Sequence, residues 1–310
     1  MKILRLFLIL FVFALGTLAA QPINWEKAQE PYPGIRYVRL STNKPRPLQI
    51  SFVRIDLQIP GLHVTSTERD PAWGTPMPNA PDNIIRTHRE STPQYMVRCR
   101  TLANRGGRGL NMLVAANASP WTPWPPPKGN AHAQPVGLVI SDGVLVSESG
   151  NAPPAFFVCY KDGRLAIIND IHPDEYDNVW MALTGFGIIL KDGQPVDGGP
   201  YENSLMPRMS YGISQDKRYL IIMAIDGRQP GVSEGTKGDE TAQFLKSAGA
   251  WDGIDMDGGG SATLCLWDAE AQRPFVLSKS EASGYCREVG MNMGLFIAPP
   301  QQPRTPQANP

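Results

Sequence analysis

The sequence has no excess of charge of either sign, since its 310 residues include 29 Lys and Arg side chains and 29 Asp and Glu side chains. Proteins that bind nucleic acid or an anionic membrane surface through charge need a basic excess. The composition therefore gives no electrostatic reason to expect either partner. Histidine is scarce, and the four histidines are predicted to be exposed rather than functional: His63, His88, His132 and His172.

Apolar runs long enough to resemble a membrane segment are absent except at the N terminus. Residues 1–20 combine two early basic residues, an apolar core and small residues at the end, which is typical of a secretory signal peptide. The run is too short for a span across about 30 Å of hydrocarbon. The sequence predicts cleavage near Ala19 or Ala20 and a secreted or periplasmic protein with no integral membrane segment after cleavage.

Cysteine is also scarce, and the chain contains Cys99, Cys159, Cys265 and Cys286. No two of them have the C-x-x-C spacing of a zinc site. In an exported protein, four cysteines permit two disulfides in three pairings. We favour a disulfide between Cys265 and Cys286, which would close a short loop, over a catalytic thiol.

No Ser/Gly-rich linker and no internal repeat divides the chain, so one domain is favoured over two. The 30 prolines and 30 glycines indicate many loops between strong aliphatic runs. Hairpin patterns recur around Asp-Gly turns at 142–143, 162–163 and 192–193. These patterns predict an α+β fold, in which a β-rich, mixed or antiparallel sheet is built from successive hairpins with few helices. The predicted order is a signal peptide (1–20), a proline-rich lead-in (21–47), a single domain (48–298) and a disordered tail (299–310).

The segment 208–263 contains most of the candidate functional residues. Residues 218–225 form a nearly unbroken apolar run, which predicts a strand buried on both faces. A second strand over 254–257 alternates apolar and acidic residues, so that Asp255 and Asp257 would project from one face. Both predicted strands therefore carry acidic residues to their ends.

A short helix is predicted between these two strands. Its start is assigned to Thr236, because an acidic residue follows three positions later as in a capping box. Gly249 is the expected C-terminal stop. The buried stripe of this helix would be Ala242, Leu245 and Ala248.

A glycine-rich turn follows Asp257 and consists of Gly258, Gly259, Gly260 and Ser261. Residues without a Cβ let a ligand approach the main chain and expose N–H groups that bind an anion. A carboxylate directly before such a turn is suited to proton or metal chemistry beside the bound anion. The alternative interpretation is a loose turn after a strand.

An ordered set of these residues resembles the motif of the phosphodiester glycosidase family, namely Arg208, Asp226-Gly227, Glu240 and Asp257 with its glycine turn. The likeness extends over residues 110–297. Where the family has an Asn followed by glycines and phenylalanines, this chain departs and has Asn117 followed by Ala-Ser-Pro-Trp. The resemblance implies a hydrolase that cleaves a sugar-phosphodiester bond at the anomeric carbon of a glycan or envelope polymer, with no cofactor.

The resemblance also implies catalytic roles for three acids. Asp257 and Glu240 would act at the anomeric carbon or on water, since a glycosidic bond is usually broken by two carboxyl groups. Asp226 is the third catalytic candidate. The alternative for Glu240 is a structural one, because a carboxylate in the first turn of a helix is stabilised by the macrodipole.

The implied substrate-binding residues surround these acids. Arg208 and the backbone amides of residues 258–261 would hold the phosphodiester, since a guanidinium offers a planar fork to phosphate oxygens. Asn117 would lie at the end of a buried strand beside them. Trp121, with Trp124 close to it, would stack on the apolar face of a sugar. The alternative, equally favoured by the sequence, is a loop that its tryptophans pack over the core. Arg208 has a structural alternative as the ion-pair partner of a neighbouring aspartate.

Two other functions remain open from the sequence. In a metal-dependent phosphodiesterase, Asp226, Asp255 and Asp257 would bind Mg²⁺ or Ca²⁺ and the P–O bond would be cleaved. In a noncatalytic envelope protein, Trp121 and Trp124 would bind polysaccharide without any reaction.

Overall fold

The computed structural model describes residues 20–298, with the exception of 149, 151, 153, 197–200 and 281. The predicted signal peptide, apart from Ala20, and the predicted disordered tail lie outside these residues. Within them, no helix is both long and apolar enough to span a membrane. The α-helices of the described part of the chain are α1 (Thr92–Arg100) and α2 (Gly238–Ser247).

Strands account for most of the regular structure. They are β1 (Gln29–Tyr32), β2 (Ile35–Thr42), β3 (Leu48–Asp56), β4 (Leu62–Ser66), β5 (Pro76–Met77), β6 (Ala80–Ile84), β7 (Thr87–His88), β8 (Glu90–Ser91), β9 (Asn111–Asn117), β10 (Trp121–Thr122), β11 (His132–Pro135), β12 (Val139–Ser141), β13 (Val144–Ser147), β14 (Phe156–Tyr160), β15 (Leu165–Ile168), β16 (Val179–Thr184), β17 (Gly187–Lys191), β18 (Gln194–Pro195), β19 (Arg208–Ile213), β20 (Tyr219–Ile225), β21 (Asp252–Asp255), β22 (Leu264–Asp268), β23 (Arg273–Val276), β24 (Glu288–Val289) and β25 (Asn292–Ile297).

Three large sheets organise these strands. The first has eight strands in the order β1-β2-β3-β20-β19-β21-β17-β18, and the other two have five each, β23-β22-β9-β25-β4 and β13-β12-β16-β14-β15. The strand pairs of the described residues are antiparallel. The β-rich α+β fold with few helices is confirmed. The three predicted hairpins are also confirmed, as β12–β13, β14–β15 and β17–β18.

The eight-stranded sheet separates two layers of apolar side chains. Its central strand β20 alternates between them, because successive side chains of a strand point to opposite faces. Leu220, Ile222 and Ala224 pack into the main core, which also takes side chains from both five-stranded sheets. Ile221 and Met223 pack on the other face beneath α2. The prediction of a strand buried on both faces is therefore confirmed.

Helix α2 lies close to this sheet because two glycines face each other across β19 and β21. Gly212 is the register partner of Gly253. A Cβ on Gly212 would lie 2.6 Å from Cβ of Ala250, and one on Gly253 would lie 2.5 Å from Cδ2 of Leu245. The buried stripe predicted for this helix is confirmed, since Ala242, Leu245 and Ala248 are all buried.

Two predicted boundaries in the functional segment are wrong. The helix begins at Gly238 rather than at Thr236, because the Thr236 hydroxyl is paired with the Thr241 hydroxyl at 2.8 Å and Lys237 is the N-cap residue. The strand that was predicted to carry both aspartates ends at Asp255. Asp257 therefore lies in the turn beyond the strand, and the two carboxylates do not share a strand face.

The segment 21–47, which was expected to be a lead-in, contributes two strands to the eight-stranded sheet. Strand β2 pairs with β3 along its whole length, from Ile35 opposite Ile55 to Thr42 opposite Leu48. Strand β1 then pairs with β2 at the edge. The first sheet is therefore larger than the sequence indicated.

The predicted Cys265–Cys286 disulfide is not formed, because all four cysteines are free thiols. Cys265 packs among apolar side chains of α1 and β9 that include Tyr95 and Met96. The Cys286 thiol is hydrogen-bonded to the Thr263 side chain. Burial raises the pKa of both thiols. A thiol with a raised pKa is rarely ionised and therefore reacts slowly.

Candidate active site

A cavity of about 320 Å³ lies over the glycine turn that follows β21. Its volume falls at the lower end of the usual range for small-molecule sites, roughly 300–1,000 Å³. Its lining combines aromatic side chains with two arginines and one carboxylate. The lining residues are Pro120, Trp121, Trp124, Val136, Phe186, Tyr201, Met206, Arg228, Asp257, Gly258, Gly259, Ser261 and Arg287.

The end of β9 holds the glycine turn in place through Asn117. The Asn117 Nδ2 donates to the carbonyl oxygen of Asp257 at 2.6 Å, and its Oδ1 accepts from the N–H of Thr263 at 2.9 Å. One fully buried amide therefore fixes the turn at both ends. Asn117 does not line the cavity. Its role is to position the turn, and the predicted contact with substrate is not supported.

The turn itself needs its glycines. Gly258 could not carry a Cβ without bringing it to 2.8 Å from the carbonyl oxygen of Pro207. Gly259 has a φ of +60°, in the left-handed region that favours glycine. A Cβ there would also lie 3.2 Å from the Arg228 guanidinium. Pro207 and Arg228 thus pack directly against the backbone of this turn.

The predicted anion nest is only partly available. The N–H of Gly259 donates to the Pro207 carbonyl at 2.9 Å, and the N–H of Ser261 donates to the Gly258 carbonyl at 3.2 Å. These two donors are used within the protein. The amides of Gly258 and Gly260 have no such acceptor among the residues that the structure describes. Gly260 does not line the cavity, so the amide of Gly258 is the one of the four predicted donors that remains to bind a ligand there.

Asp257 is the one carboxylate among the residues that line the cavity. Burial raises its pKa to about 7, although the hydrogen bond from Ser261 and the charge of Arg287 act in the opposite direction. A carboxyl group with this pKa is half ionised near neutral pH, which suits a group that exchanges protons during a reaction. Asp257 is therefore the strongest candidate for acid–base chemistry in the cavity.

Two guanidinium groups lie on the cavity wall beside Asp257. Arg287 Nη1 donates to the Ser261 hydroxyl at 3.3 Å, and its Cζ lies 4.3 Å from the centroid of the Trp124 ring. Arg228 lies against Gly259 of the same turn. The sequence analysis missed both residues. The one available signal for Arg228 was its position directly after Asp226-Gly227, and no local pattern distinguishes Arg287.

The aromatic wall includes both tryptophans that were predicted to meet a sugar. The ring centroids of Trp121 and Trp124 are 5.5 Å apart and the planes are nearly perpendicular, at 86°. Trp121 is only 6% exposed, whereas Trp124 is 56% exposed. Trp124 therefore has the larger accessible surface, and the buried Trp121 packs against it in a T-shaped contact.

Arg208 does not line this cavity. Its Nη1 donates to Asp255 Oδ2 at 2.8 Å, and both side chains are 3% exposed. Its Nε donates to the Thr236 carbonyl, and its Nη2 donates to the carbonyls of Tyr201 and Ser204. These contacts give the guanidinium a structural role, and phosphate binding by Arg208 stays a prediction that this geometry does not support. Through Tyr201, Arg208 positions a residue of the cavity wall.

Glu240 is also outside the cavity. Both of its oxygens accept hydrogen bonds from Arg46 at 2.7 Å, and Oε2 accepts from the N–H of Lys237 at 3.0 Å. Burial acts to raise its pKa, but the bonds from Arg46 hold the pKa below the usual range. Glu240 is therefore a helix cap and ion-pair partner, and its catalytic role stays a prediction that this geometry does not support.

Asp226 lies behind the glycine turn rather than in the cavity. Its Oδ1 accepts from the N–H of Lys279 at 2.7 Å, and the next residue along, Ser280, donates to the Gly260 carbonyl at 3.3 Å. Burial raises the pKa of Asp226 to about 6. Because Asp226 does not line the cavity, its predicted catalytic role is not supported by this geometry.

The three aspartates proposed as metal ligands do not converge. Asp255 is paired with Arg208, Asp226 faces the Lys279 amide, and Asp257 lies in the turn. In the described part of the chain, these three acids do not form a group that could share one ion. The geometry therefore gives no support to the alternative of a Mg²⁺ or Ca²⁺ site at these three acids.

A larger groove of about 710 Å³ runs along α1, away from the glycine turn. Its main cation, Arg98, is already paired with Glu68 and, at 2.6 Å, with Glu90. This groove contains no group comparable to Asp257. The smaller cavity is therefore the better candidate for chemistry.

Comparison with known proteins identifies the relatives of this chain. The model of the phosphodiester glycosidase family matches residues 123–296. The N-acetylglucosamine-1-phosphodiester alpha-N-acetylglucosaminidase of Mus musculus is 27% identical over 159 residues, which cover 45% of this chain and 30% of the mouse protein. The match thus spans less than a third of that relative.

Two solved structures have a similar fold. The catalytic domain of zebrafish N-acetylglucosamine-1-phosphodiester alpha-N-acetylglucosaminidase, auto-inhibited by its pro-peptide, has a TM-score of 0.57 and 19% identity, and the match covers 87% of this chain and 85% of that chain. A hypothetical protein from Synechocystis has a TM-score of 0.54 and 12% identity, with 86% and 62% covered. At these identities the likeness concerns the fold alone.

The Arg208–Asp255 ion pair predicts a large effect on stability. Arg208→Met should lower the free energy of unfolding by about 3–5 kcal/mol, because it leaves a buried carboxylate without its partner. The double variant Arg208→Met/Asp255→Met should recover part of this loss. Urea denaturation measures both, with the exposed Arg273→Met as a control expected to stay within about 0.5 kcal/mol of wild type. An unchanged stability together with a raised KM would instead assign Arg208 to substrate binding.

The raised pKa of Asp257 predicts that this residue destabilises the fold at neutral pH. Its folded-state pKa of about 7 lies above the ordinary 3.8, so stability is lost as the pH rises between these values. Asp257→Asn should therefore stabilise the protein above pH 7, by at most about 4 kcal/mol, and have little effect below pH 4. Denaturation at pH 4 and pH 8 measures this difference.

The matched control for that measurement is Asp216→Asn. The hydrogen bond from Ser214 lowers the pKa of Asp216, so its replacement should act with the opposite sign and cost stability above pH 4. A difference between Asp257→Asn and wild type that does not change with pH would contradict the raised pKa.

Proposed function

This chain belongs to the phosphodiester glycosidase family and is a hydrolase, and we propose that it cleaves a sugar-phosphodiester bond at the anomeric carbon in the cavity over Asp257. The name of the mouse relative, a phosphodiester alpha-N-acetylglucosaminidase, supports this bond as the target. The observation that carries the proposal is that Asp257, a carboxyl group with a pKa of about 7, lines one cavity together with two arginines and several aromatic side chains.

The charged side of the cavity suits a phosphodiester. Arg228 lies beside Gly259 and Arg287 beside Ser261, and both present permanent positive charge. Such groups stabilise the negative charge that develops on a departing phosphate. Arg228 and Arg287 thereby take the place that the sequence had assigned to Arg208. Within the glycine turn, the amide of Gly258 is the remaining donor on the cavity lining for the same oxygens.

The aromatic side of the cavity suits a sugar. Trp124 is more than half exposed, and Phe186 and Tyr201 complete the wall with ring centroids 5.1 Å apart. Aromatic faces stack on the apolar face of a pyranose ring and leave its hydroxyl groups accessible. A substrate with its sugar on this wall and its phosphate on the arginines would place the anomeric carbon near Asp257.

Asp257 in its ionised form acts as the general base in this proposal and takes a proton from the water that attacks the anomeric carbon. The C–O bond breaks through a transition state with oxocarbenium character, and the phosphate monoester leaves with the bonding electrons. A phosphate monoester is a better leaving group than an alcohol, and the arginines neutralise its charge. A second carboxyl group is then not required as general acid, which agrees with the position of Glu240 outside the cavity.

The substrate class is a glycan or envelope polymer that contains sugar-1-phosphodiester linkages. Export of the protein, which the pattern of residues 1–20 predicts, would bring it to such polymers outside the cytoplasm. The test is an assay of the exported form against sugar-1-phosphodiesters, including N-acetylglucosamine-phosphomethylmannoside and teichoic-acid-like polymers.

The same assay tests the role of Asp257. Asp257→Asn should lower kcat/KM by about 10²–10⁴-fold, the usual contribution of a positioned acid–base group. For wild type, kcat/KM should rise with pH and level off above about 7, because the ionised form of Asp257 is the active one. Glu240→Gln is the matched control and should retain activity within a few-fold. An active Asp257→Asn variant, or a rate that falls as the pH rises through 7, would contradict the proposed role.

A further inference from the structure

Three side chains that could bind a metal ion converge outside the candidate active site. Asp70 lies in the loop after β4, His88 lies on β7, and His132 begins β11. One ligand atom from each lies within 4.8 Å of the other two. In particular, Asp70 Oδ2 is 3.2 Å from His132 Nδ1 and 3.8 Å from His88 Nδ1. None of the three lines the cavity over Asp257.

The register of two strands brings the histidines together. His88 and His132 are direct partners in the antiparallel pair of β7 and β11. Directly opposite side chains project from the same face of a sheet, so the imidazoles are neighbours. Their ring centroids are 5.9 Å apart at an angle of 80°. The sequence analysis treated both histidines as exposed residues, because 43 intervening positions separate them in the chain and no spacing motif connects them.

The third ligand is a buried carboxylate in a fixed orientation. The Asp70 side chain is only 7% exposed. Its Oδ1 accepts from the N–H of Ala72 at 2.7 Å, which leaves Oδ2 directed at the two imidazoles. In the described residues, its ion-pair partners are these two histidines rather than a lysine or an arginine. A buried carboxylate requires a cationic or metal partner to offset its desolvation.

We propose that Asp70, His88 and His132 form a site for a divalent first-row transition metal, with Zn²⁺ as the best match. Zinc binds imidazole nitrogen and carboxylate oxygen at about 2.0–2.2 Å, so neighbouring ligands of a tetrahedral site are roughly 3.3 Å apart. The two measured separations, 3.2 and 3.8 Å, are close to this value. Two imidazoles among three ligands disfavour Ca²⁺ and Mg²⁺, which prefer oxygen. Water completes the coordination.

The bound ion would brace one wall of the cavity over Asp257. Strand β11 pairs with β10, which begins at Trp121, and the connection between the two strands carries Trp124. His132 is the first residue of β11 after this connection. A metal that links His132 to His88 and Asp70 therefore fixes the base of the loop that holds Trp124. This metal site does not depend on the proposed hydrolysis.

The test is a zinc titration of the chain after chelator treatment and dialysis, in competition with a chromogenic chelator. Wild type should bind one equivalent of Zn²⁺, and Zn²⁺ should raise its Tm. His88→Ala should weaken binding by at least about 100-fold, since even outer residues of metal sites contribute about 10–100-fold. The His88 side chain is 59% exposed, so its loss should leave the Tm of the metal-free protein nearly unchanged. Asp70→Asn, which changes the buried ligand of the proposed site, should also weaken zinc binding.

The matched control is His172→Ala. His172 also contacts a carboxylate through Nδ1, at 2.6 Å from Asp174, but it is exposed and has no second histidine beside it. This variant should bind zinc as wild type does. The proposal is overturned if wild type binds no stoichiometric zinc, if His88→Ala and Asp70→Asn bind it as tightly as wild type, or if His172→Ala weakens binding equally.

Discussion

The candidate active site depends on the buried amide of Asn117, which holds both ends of the glycine turn. Its contacts with the Asp257 carbonyl and the Thr263 N–H connect β9 to the start of β22. The turn is thereby fixed with its carboxylate directed into a cavity, where burial raises the pKa of Asp257 to about 7. The reactivity of the site follows from this constraint, because a carboxyl group in a mobile, solvated turn would keep its ordinary pKa.

Other polar contacts support the site from residues that do not line the cavity. Arg208 joins Asp255 of β21 to the carbonyls of Tyr201 and Ser204, and so fixes the segment that brings Tyr201 to the wall. Asp226 accepts from the N–H of Lys279, and the next residue, Ser280, donates to the Gly260 carbonyl of the turn. Several residues of the family motif therefore have a structural role in this chain and support the site. Its charged lining comes instead from Arg228, Arg287 and Asp257.

The sequence predicted the features that local patterns determine. The apolar run of β20, the stripe of α2 and the Asp-Gly hairpins follow from periodicity and turn chemistry, and Asp257 follows from its place before the glycines. The features that the sequence did not indicate depend on long-range pairing. Glu240 meets Arg46 across 194 positions, and no local rule indicates that partner. The same holds for the arginines that flank the turn and for His88 and His132, which become neighbours only through strand register.

The claim that Asp257 directs water to the anomeric carbon is tested most directly by the fate of solvent oxygen. A substrate turned over in H₂¹⁸O should release a phosphate monoester whose ³¹P resonance shows no ¹⁸O isotope shift, because the C–O bond breaks and the label enters the sugar. A shifted ³¹P resonance in the released phosphate would mean that the P–O bond is cleaved, and it would contradict the account.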